Sequence, residues 1–450
     1  MTFDTLAGRL DDLFAPWNRP ESPGAALAIV HDGQVVCQKG YGCANLEYGI
    51  PITPTTVFHV ASLAKQVTAL AVLLLEEQGL LSVTDPVHKY LPDLPDFGQP
   101  ITLEHLLQHT SGLRDQWELL TLAGWRMDDV ITREQILRLV RRQRVLNFAP
   151  GSAYLYGNTG YTLLAEVVAT VSGQSLRQFA QTHIFEPLAM HQTHFRDDHE
   201  EIVPNLAYSY RPAPDGNGFK KFGLHYATVG ATSLLTTAAD LTRWLANFEH
   251  PSVGSPDLFR RMQTPAVLTD GQTVDYGYGL GLGTHRGYRM VQHIGIDAGY
   301  RAFLCWLPEL HVGAVVLANL ATIEMRSLGM QAVERYLDGK VDWRPASADS
   351  AGGQAPAPQP QRITLGDADL QQYAGTYYSD ELDTTYRIAP ENGDLVARHL
   401  RREDLRCVPV APDTFVAGSL TLRFVRNGSH IAGLRLDGVR VRNLWFARRQ

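Results

Sequence analysis

One stretch of the sequence constrains the fold more than any other, because it contains no large apolar residue. Residues 345–362 read PASADSAGGQAPAPQPQR and are rich in proline, alanine and glycine. Such a segment buries too little apolar surface to order itself, and its prolines favour an extended linker. We therefore predict two folded parts, residues 1–344 and 363–450, joined by a linker at 345–362.

The larger part mixes strand and helix patterns. The segment ALAIVHDGQVVCQKGYG predicts two strands around an Asp32-Gly33 turn, and further strands are predicted from Tyr276 onwards. Between them, SLAKQVTALAVLLLEEQG is apolar on most sides and predicts a buried helix that ends at Gly79. The remaining helices are predicted at 102–109, 133–143, 160–171 and 238–248. Helices flanked in the chain by strands from both ends predict an α+β fold around an antiparallel sheet.

The smaller part carries almost only strand patterns. Its short alternating segments, separated by turns such as Asn392-Gly393, are TYYS, TYRIAP, LVARH, DTFVAG, LTLRFVR, HIAGLRLDG and VRVRNLWFARR. So many short strands in one segment predict a small antiparallel β-barrel or sandwich.

The composition narrows the partners that we expect. The chain is 44% hydrophobic and 19% charged with a net charge of -7, which favours neither nucleic acid nor an anionic lipid surface. No apolar run approaches the roughly 18 residues of a membrane span, and the N-terminus has the pattern of an amphipathic helix rather than a secretory signal. We therefore expect a cytoplasmic protein without a membrane span, and leave self-association into a homo-oligomer open.

The potential metal ligands do not form a recognisable site. Cys37, Cys43, Cys305 and Cys407 form no CxxC pair and are predicted to be free thiols, with a Cys37–Cys43 disulfide as the less favoured alternative. Segment 191–201 collects histidines and carboxylates without the spacing of a metal motif, and we interpret it as a solvated loop. The sequence predicts no metal and no cofactor.

Ser62 and Lys65 are the strongest candidates for chemistry. Residues three apart on a helix point to the same side, with Cβ atoms about 5–6 Å apart. A lysine in an apolar helix can accept a serine proton when burial lowers its pKa, and the helix N-terminus favours the charge that develops on a substrate carbonyl. The chain has six lysines against thirty-four arginines, and arginine cannot serve as this base. Chance alone gives about 0.3 Ser-x-x-Lys matches, so a lysine that only packs is the alternative.

Tyr156-Gly157-Asn158 is the second motif, just before a predicted helix. A tyrosine can relay protons, and an asparagine can hydrogen-bond both a lysine and a substrate carbonyl. The structural alternative is a helix-capping asparagine beside a packing tyrosine.

His293-Ile294-Gly295 is the third motif, in a predicted strand. His-x-Gly is unspecific by itself, and an ordinary strand histidine is its alternative interpretation. His109, in LLQHTSGL, is interpreted as structural rather than as a base.

The order of these three motifs resembles the serine β-lactamase-related family, which includes class C β-lactamases, D-alanyl-D-alanine carboxypeptidases, D-aminopeptidases and related esterases. The resemblance extends over roughly residues 8–338. It is carried by the segments SPGAALAIVHDGQVVCQKGYG, LLQHTSGL, FAPGSAYLYGNTGYTLLAEVV, SLLTTAADLTRW and HIGIDAGYRAF. YAGTYYSDELDTTYRI, after the linker, resembles the start of the lipocalin-like C-terminal domain of some of these hydrolases. The resemblance implies a β-lactamase/transpeptidase-like catalytic domain at 1–344 and a lipocalin-like β-barrel at 363–450.

The same resemblance implies catalytic roles. Ser62 would attack a carbonyl carbon and form an acyl-enzyme. Lys65 and Tyr156 would share the acid–base work, and which of them starts deprotonated stays open. His293 would line the far wall of the cleft.

It also implies roles for substrate-binding residues. Asn158 would position Lys65 and the acyl-side amide of the substrate. The backbone N–H groups of Ser62 and Ile296 would form the oxyanion hole, and Gly295 would lie beside them.

The third motif departs from the family pattern. Many penicillin-recognising members have Lys-Thr-Gly, whose charge helps to bind a substrate carboxylate, whereas His293 is mostly neutral at pH 7. This favours amide or ester substrates without a strict carboxylate requirement, such as short peptides, D-amino-acid derivatives or acyl esters. The alternatives are a β-lactamase, a D-Ala-D-Ala carboxypeptidase, or a non-catalytic binding protein on the same scaffold.

Overall fold

The structure, a computed structural model, describes residues 3–343 and 361–449. The predicted linker at 345–362 lies outside these residues except at positions 361 and 362, so the domain boundaries at 344 and 363 stay predictions. Within the described ranges, no helix has both the length and the apolar character needed to cross a bilayer.

The larger part alternates helices with strands. Its helices are α1 Phe3–Phe14, α2 Ala64–Glu77, α3 Leu103–Leu107, α4 Gln116–Leu122, α5 Arg133–Arg141, α6 Thr159–Ser172, α7 Leu176–Ala180, α8 Ala238–Glu249, α9 Pro256–Met262 and α10 Met325–Leu337. Its strands are β1 Ala25–His31, β2 Gln34–Tyr41, β3 Cys43–Asn45, β4 Ile50–Pro51, β5 Phe58–His59, β6 Ile131–Thr132, β7 His194–Phe195, β8 Tyr210–Pro212, β9 Phe219–Lys221, β10 Tyr226–Ala227, β11 Leu234–Thr236, β12 Ala266–Val267, β13 Thr273–Val274, β14 Gly281–His285, β15 Tyr288–Asp297, β16 Tyr300–Leu307 and β17 Val312–Ala318.

A six-stranded antiparallel sheet forms the centre of this part, in the order β14-β15-β16-β17-β1-β2. Successive side chains of a strand point to opposite faces of a sheet. Accordingly, Ala26, Ala28 and Val30 of β1 pack into the core with α2, whereas Leu27 and Ile29 pack with residues of α1 and α10. Because both faces are covered, β1 is apolar along nearly its whole length.

Several local predictions are confirmed. Asp32 and Gly33 both have positive φ, 50° and 69°, as expected of the tight turn between β1 and β2. The predicted helices correspond to α3, α5, α6 and α8, and Gly79 follows α2 with a φ of 72°. The four cysteines are free thiols, as predicted.

The C-terminal part is a closed eight-stranded antiparallel barrel, preceded by the short helix α11 Asp367–Gln371. Its strands are β18 Gly375–Ser379, β19 Thr384–Glu391, β20 Asp394–His399, β21 Arg402–Ala411, β22 Thr414–Ala417, β23 Leu420–Asn427, β24 His430–Asp437 and β25 Leu444–Arg449. The barrel was one of the two predicted architectures, and pairing of β18 with β25 removes the open edges that a sandwich would keep.

The predicted set of barrel strands needs two corrections. β21 was not among them, and the predicted strand VRVRNLWFARR begins only at Leu444, because residues 438–443 form a loop. The backbone of this loop hydrogen-bonds residues of the larger part instead of a neighbouring strand. We call residues 438–443 the cleft loop, because the loop reaches the cavity described next.

Candidate active site

Ser62 lies in a 3₁₀ turn, Ala61–Leu63, directly before α2. Ala61 has a φ of 48°, a conformation unusual for a residue with a Cβ, and its N–H donates to His59 Nδ1 at 3.2 Å. Ser62 lines a cavity of about 540 Å³. Such strained backbone next to a cavity is frequent at functional sites.

Lys65 is fully buried and its ammonium nitrogen contacts three acceptors. Nζ lies 3.0 Å from Ser62 Oγ, 2.9 Å from Asn158 Oδ1 and 2.9 Å from the carbonyl oxygen of Ala231. Burial lowers the pKa of Lys65 from 10.5 to about 7, since a charged amine is poorly solvated there. The predicted Ser62–Lys65 contact is therefore present, and the lysine can lose its proton near neutral pH.

Asn158 is oriented by a residue that the sequence analysis did not single out, Asp115. The Asp115 Oδ2 atom accepts from both Asn158 Nδ2 at 2.8 Å and Asn158 N at 2.7 Å. Because the amide nitrogen donates to Asp115, the amide oxygen faces Lys65. The other carboxylate oxygen of Asp115 accepts from Trp117 N and Glu118 N and so caps α4.

Tyr156 lines the same cavity as Ser62. Lys65 Nζ lies 4.9 Å from the centroid of the Tyr156 ring. Burial raises the pKa of Tyr156 above its usual value, so the phenol keeps its proton. A lysine with a lowered pKa and a tyrosine with a raised pKa form an acid–base pair with distinct protonation states.

His293 lines the same cavity. Its Nδ1 lies 2.7 Å from the Ile294 carbonyl oxygen, so Nδ1 carries the proton and donates it. Its Nε2 lies 3.1 Å from the hydroxyl of Tyr276, which the sequence analysis did not single out. Burial lowers the pKa of His293 to about 3, so the ring is neutral.

Gly295 and Ile296 follow His293 on β15, beyond the end of β14. The last β15 residue that pairs with β14 is Gln292, so residues 293–297 pair only with β16 and leave one edge open toward the cavity. A Cβ on Gly295 would lie 2.2 Å from the Val60 carbonyl oxygen, so only glycine lets the strand pass this close to the turn that carries Ser62. Ile296 lines the cavity.

His109 contacts the second motif, whereas the interpretation of segment 191–201 as a solvated loop is wrong in part, because the segment contains strand β7 with the buried Phe195. His109 accepts from Gly157 N at 3.3 Å and packs against Tyr156, while burial keeps its pKa well below 6.5. Arg177 forms ion pairs with Asp197 and Glu201. Across the described ranges, no group of three or more histidines, cysteines and carboxylates is arranged to hold a metal.

A serine–lysine pair at the start of a buried helix, facing the open edge of an antiparallel sheet, defines a serine hydrolase of the β-lactamase/transpeptidase-like fold. Residues 10–336 match the family model described as Beta-lactamase, and the chain belongs to this family.

Curated relatives of this chain include two bacterial proteins. The D-aminopeptidase of Gluconobacter oxydans is 29% identical over 392 residues, which cover 85% of this chain and 68% of that protein. Penicillin-binding protein 4* of Bacillus subtilis is 27% identical over 427 residues, covering 88% of each chain. Among solved structures, the octameric penicillin-binding protein homologue from Pyrococcus abyssi is 24% identical, with a TM-score of 0.65 over 100% of both chains, which shows a shared fold.

Proposed function

We propose that this chain hydrolyses amide or ester bonds of small substrates through an acyl-enzyme on Ser62, with Lys65 as the initial base. The surroundings of Lys65 Nζ carry the proposal. A neutral amine has two N–H groups and one lone pair. The Asn158 Oδ1 atom and the Ala231 carbonyl oxygen accept hydrogen bonds from the two N–H groups, each with 2.9 Å to Nζ. The lone pair of Nζ therefore faces Ser62 Oγ, which lies 3.0 Å away.

The proposed reaction begins with attack of Ser62 Oγ on the substrate carbonyl carbon as the hydroxyl proton passes to Lys65. The backbone N–H groups of Ser62 and Ile296 stabilise the oxyanion of the tetrahedral intermediate. Tyr156 hands its proton to the leaving group as the bond to the carbonyl carbon breaks, and takes a replacement proton from Lys65. In the second half of the reaction, water attacks the carbonyl carbon of the acyl-enzyme as one of its protons passes to Lys65. Tyr156 donates its proton to Ser62 Oγ as the ester bond breaks, which releases the acid and restores the Ser62 hydroxyl, and Lys65 returns the proton to Tyr156.

For the substrate class we propose short peptides, D-amino-acid amides and related acyl esters. The similarity to a D-aminopeptidase supports this class, as does a cavity of about 540 Å³, which suits a small substrate. A hydrolysis panel tests it, with D-alanine p-nitroanilide, its L enantiomer, a D-alanyl dipeptide and a p-nitrophenyl ester. Turnover of the D-aminoacyl compounds, absent in a Ser62→Ala variant, supports the proposal, and hydrolysis of none of the four would reject it.

We expect only weak hydrolysis of the β-lactam nitrocefin. His293 occupies the position where many penicillin-recognising members have a lysine, and its ring is neutral and engaged through both nitrogens. The measurement is kcat/KM for nitrocefin beside the best panel substrate on the same preparation. A value for nitrocefin equal to or above that of the other substrates would favour the β-lactamase alternative.

We expect kcat/KM to rise with pH and to level off above about pH 7. Burial lowers the pKa of Lys65 to about 7, and only the neutral amine can accept the Ser62 proton, so the active fraction grows as the pH passes through this pKa. Below the plateau, each pH unit should cost about tenfold in kcat/KM. D-alanine p-nitroanilide suits the measurement because its product colour does not change with pH. A profile that is flat from pH 5 to 9 would contradict Lys65 as the base.

Self-association and a cytoplasmic location stay predictions. The similar Pyrococcus abyssi protein is described as octameric, which supports assembly of this chain into a homo-oligomer as a proposal. Sedimentation velocity of the full chain measures its oligomeric state.

A further inference from the structure

The barrel contributes a cation to the cavity that contains Ser62. Arg440, in the cleft loop, lines this cavity. Its guanidinium carbon lies 5.3 Å from the centroid of the Tyr156 ring. A cation over an aromatic face is held there by the ring quadrupole, so the guanidinium is directed beside the proposed proton donor.

The backbone of the cleft loop is held by buried and partly buried groups of the larger part. Glu118 accepts from the N–H groups of Val439, at 2.8 Å, and of Arg440. Asn147 Nδ2 donates to the Arg440 carbonyl oxygen at 3.0 Å. Arg114 donates twice to the Arg442 carbonyl oxygen, at 2.8 and 3.1 Å. Arg440 is therefore presented by a fixed backbone, as a binding residue requires.

The guanidinium of Arg440 retains donors for a ligand. It forms an ion pair with Asp115, but the 3.9 Å between Nη1 and Oδ2 is beyond hydrogen-bond distance. The Asp115 oxygens already accept from Asn158 and from the first N–H groups of α4. No described residue accepts a hydrogen bond from the Arg440 guanidinium, and 38% of its side chain is exposed. Its N–H groups are thus available to a ligand in the cavity that Arg440 lines.

The other charged groups of the cavity are already engaged or are negative. Lys65 contacts three acceptors, and His293 is neutral. The Asp297 carboxyl group, whose pKa is raised by burial to about 7, accepts from the hydroxyls of Tyr226 and Thr232, and Asp275 adds a second carboxyl group to the lining. Among the described residues that line the cavity, Arg440 is therefore the one that can supply the positive charge which the His-Ile-Gly triplet lacks.

We propose that Arg440 binds a free carboxylate on the leaving-group side of the substrate, so that the enzyme prefers short peptides with an unmodified C-terminus. A guanidinium matches the two oxygens of a carboxylate with parallel N–H groups. The guanidinium of Arg440 lies beside Tyr156, which is the proposed proton donor to the leaving group. We therefore assign the carboxylate to the leaving-group side of the substrate. The inference rests on the proposed function and specifies its substrate.

The test compares one dipeptide, D-alanyl-glycine, with its C-terminal amide. For the unmodified chain, kcat/KM should be about 10- to 100-fold higher for the free carboxylate, the range expected of hydrogen bonds between charged groups. Arg440→Met keeps the length of the side chain and removes the charge, so it should bring this ratio near one, mostly through a higher KM for the free acid. Arg440→Lys should restore part of the ratio.

A control in the same loop separates binding from a general loss of charge. Arg442 has an exposed side chain and only its backbone contacts Arg114, so Arg442→Met should keep the ratio. An equal loss for acid and amide in Arg440→Met would mean that Arg440 acts on Lys65 or Tyr156, and would overturn the proposal. A ratio near one in the unmodified chain would also overturn it.

A binding measurement keeps this inference separate from the proposed chemistry. Calorimetry on the Ser62→Ala chain gives Kd for the dipeptide and its amide without turnover. Tighter binding of the free acid, abolished by adding Arg440→Met, supports the carboxylate site even if the peptide is not cleaved. Equal Kd values for acid and amide reject the site even if Ser62 is the nucleophile.

Discussion

Ser62→Ala is expected to lower kcat/KM for a p-nitrophenyl ester by on the order of several hundred-fold or more. The variant removes the oxygen that forms the acyl-enzyme, while Lys65 keeps its contacts with Asn158 and Ala231. Residual activity would come from the oxyanion hole and from substrate binding, which do not need the nucleophile.

The control is Ser152→Ala, an exposed serine whose hydroxyl donates to the Ala149 carbonyl oxygen at 2.7 Å in the loop before Tyr156. Both variants should keep the unfolding temperature of the unmodified chain within a few degrees, and only Ser62→Ala should lose activity. Equal turnover by the Ser62→Ala and Ser152→Ala variants would exclude Ser62 as the nucleophile.

Glu381→Leu is expected to lower the free energy of unfolding by about 3–5 kcal/mol. Glu381 Oε2 accepts from Arg114 Nη1 at 2.5 Å across the junction of the barrel and the larger part. Arg114 is 0% exposed, so the variant leaves a buried guanidinium without its counter-charge. Urea unfolding followed by tryptophan fluorescence measures the loss. The double variant with Arg114→Met should lose less than the sum of the two single variants, because the uncompensated charge is gone.

An exposed ion pair at the same junction provides the control. Arg144 Nη2 lies 3.0 Å from Asp380 Oδ2, but the two side chains are 68% and 65% exposed. Arg144→Met should therefore cost about 1 kcal/mol or less. If Glu381→Leu proves no more destabilising than Arg144→Met, the buried pair does not hold the barrel in place.

The parts of the site that the sequence predicted are set by local geometry. Ser62 and Lys65 are three residues apart, so the spacing alone places their side chains on one side, and the structure has them 3.0 Å apart. The turn at Asp32 and Gly33 depends on two residues that accept positive φ. In both cases the residue types and their spacing determine the local geometry, although the spacing of Ser62 and Lys65 does not by itself exclude a lysine that only packs.

The parts that the sequence did not predict depend on contacts between distant segments. Asp115 accepts a hydrogen bond from Asn158, which is 43 positions away in the sequence. Tyr276 is hydrogen-bonded to His293 but lies outside the predicted motif that contains His293. No spacing rule applies to such pairs. Asp115 stands directly before α4, and an aspartate at this position predicts a helix cap. The pattern does not predict that Asp115 also accepts hydrogen bonds from Asn158.

The cleft loop shows why a strand pattern can mislead. VRVRNLW alternates apolar and basic residues, which predicts a strand. In the structure, Arg440 and Arg442 have backbone groups that pair with Glu118, Asn147 and Arg114, so the ladder begins only after them. The expectation of substrates without a strict carboxylate requirement came from the His293-Ile294-Gly295 triplet, and did not include a cation supplied by the barrel.

Labelling with a fluorophosphonate, followed by mass spectrometry of the intact chain and its peptides, tests the central claim most directly. Fluorophosphonates form a stable bond with an activated serine oxygen. The account predicts one adduct per chain, on the peptide that contains Ser62, with none in Ser62→Ala and slower labelling below pH 7. An adduct on another residue, or equal labelling of the Ser62→Ala chain, would contradict it.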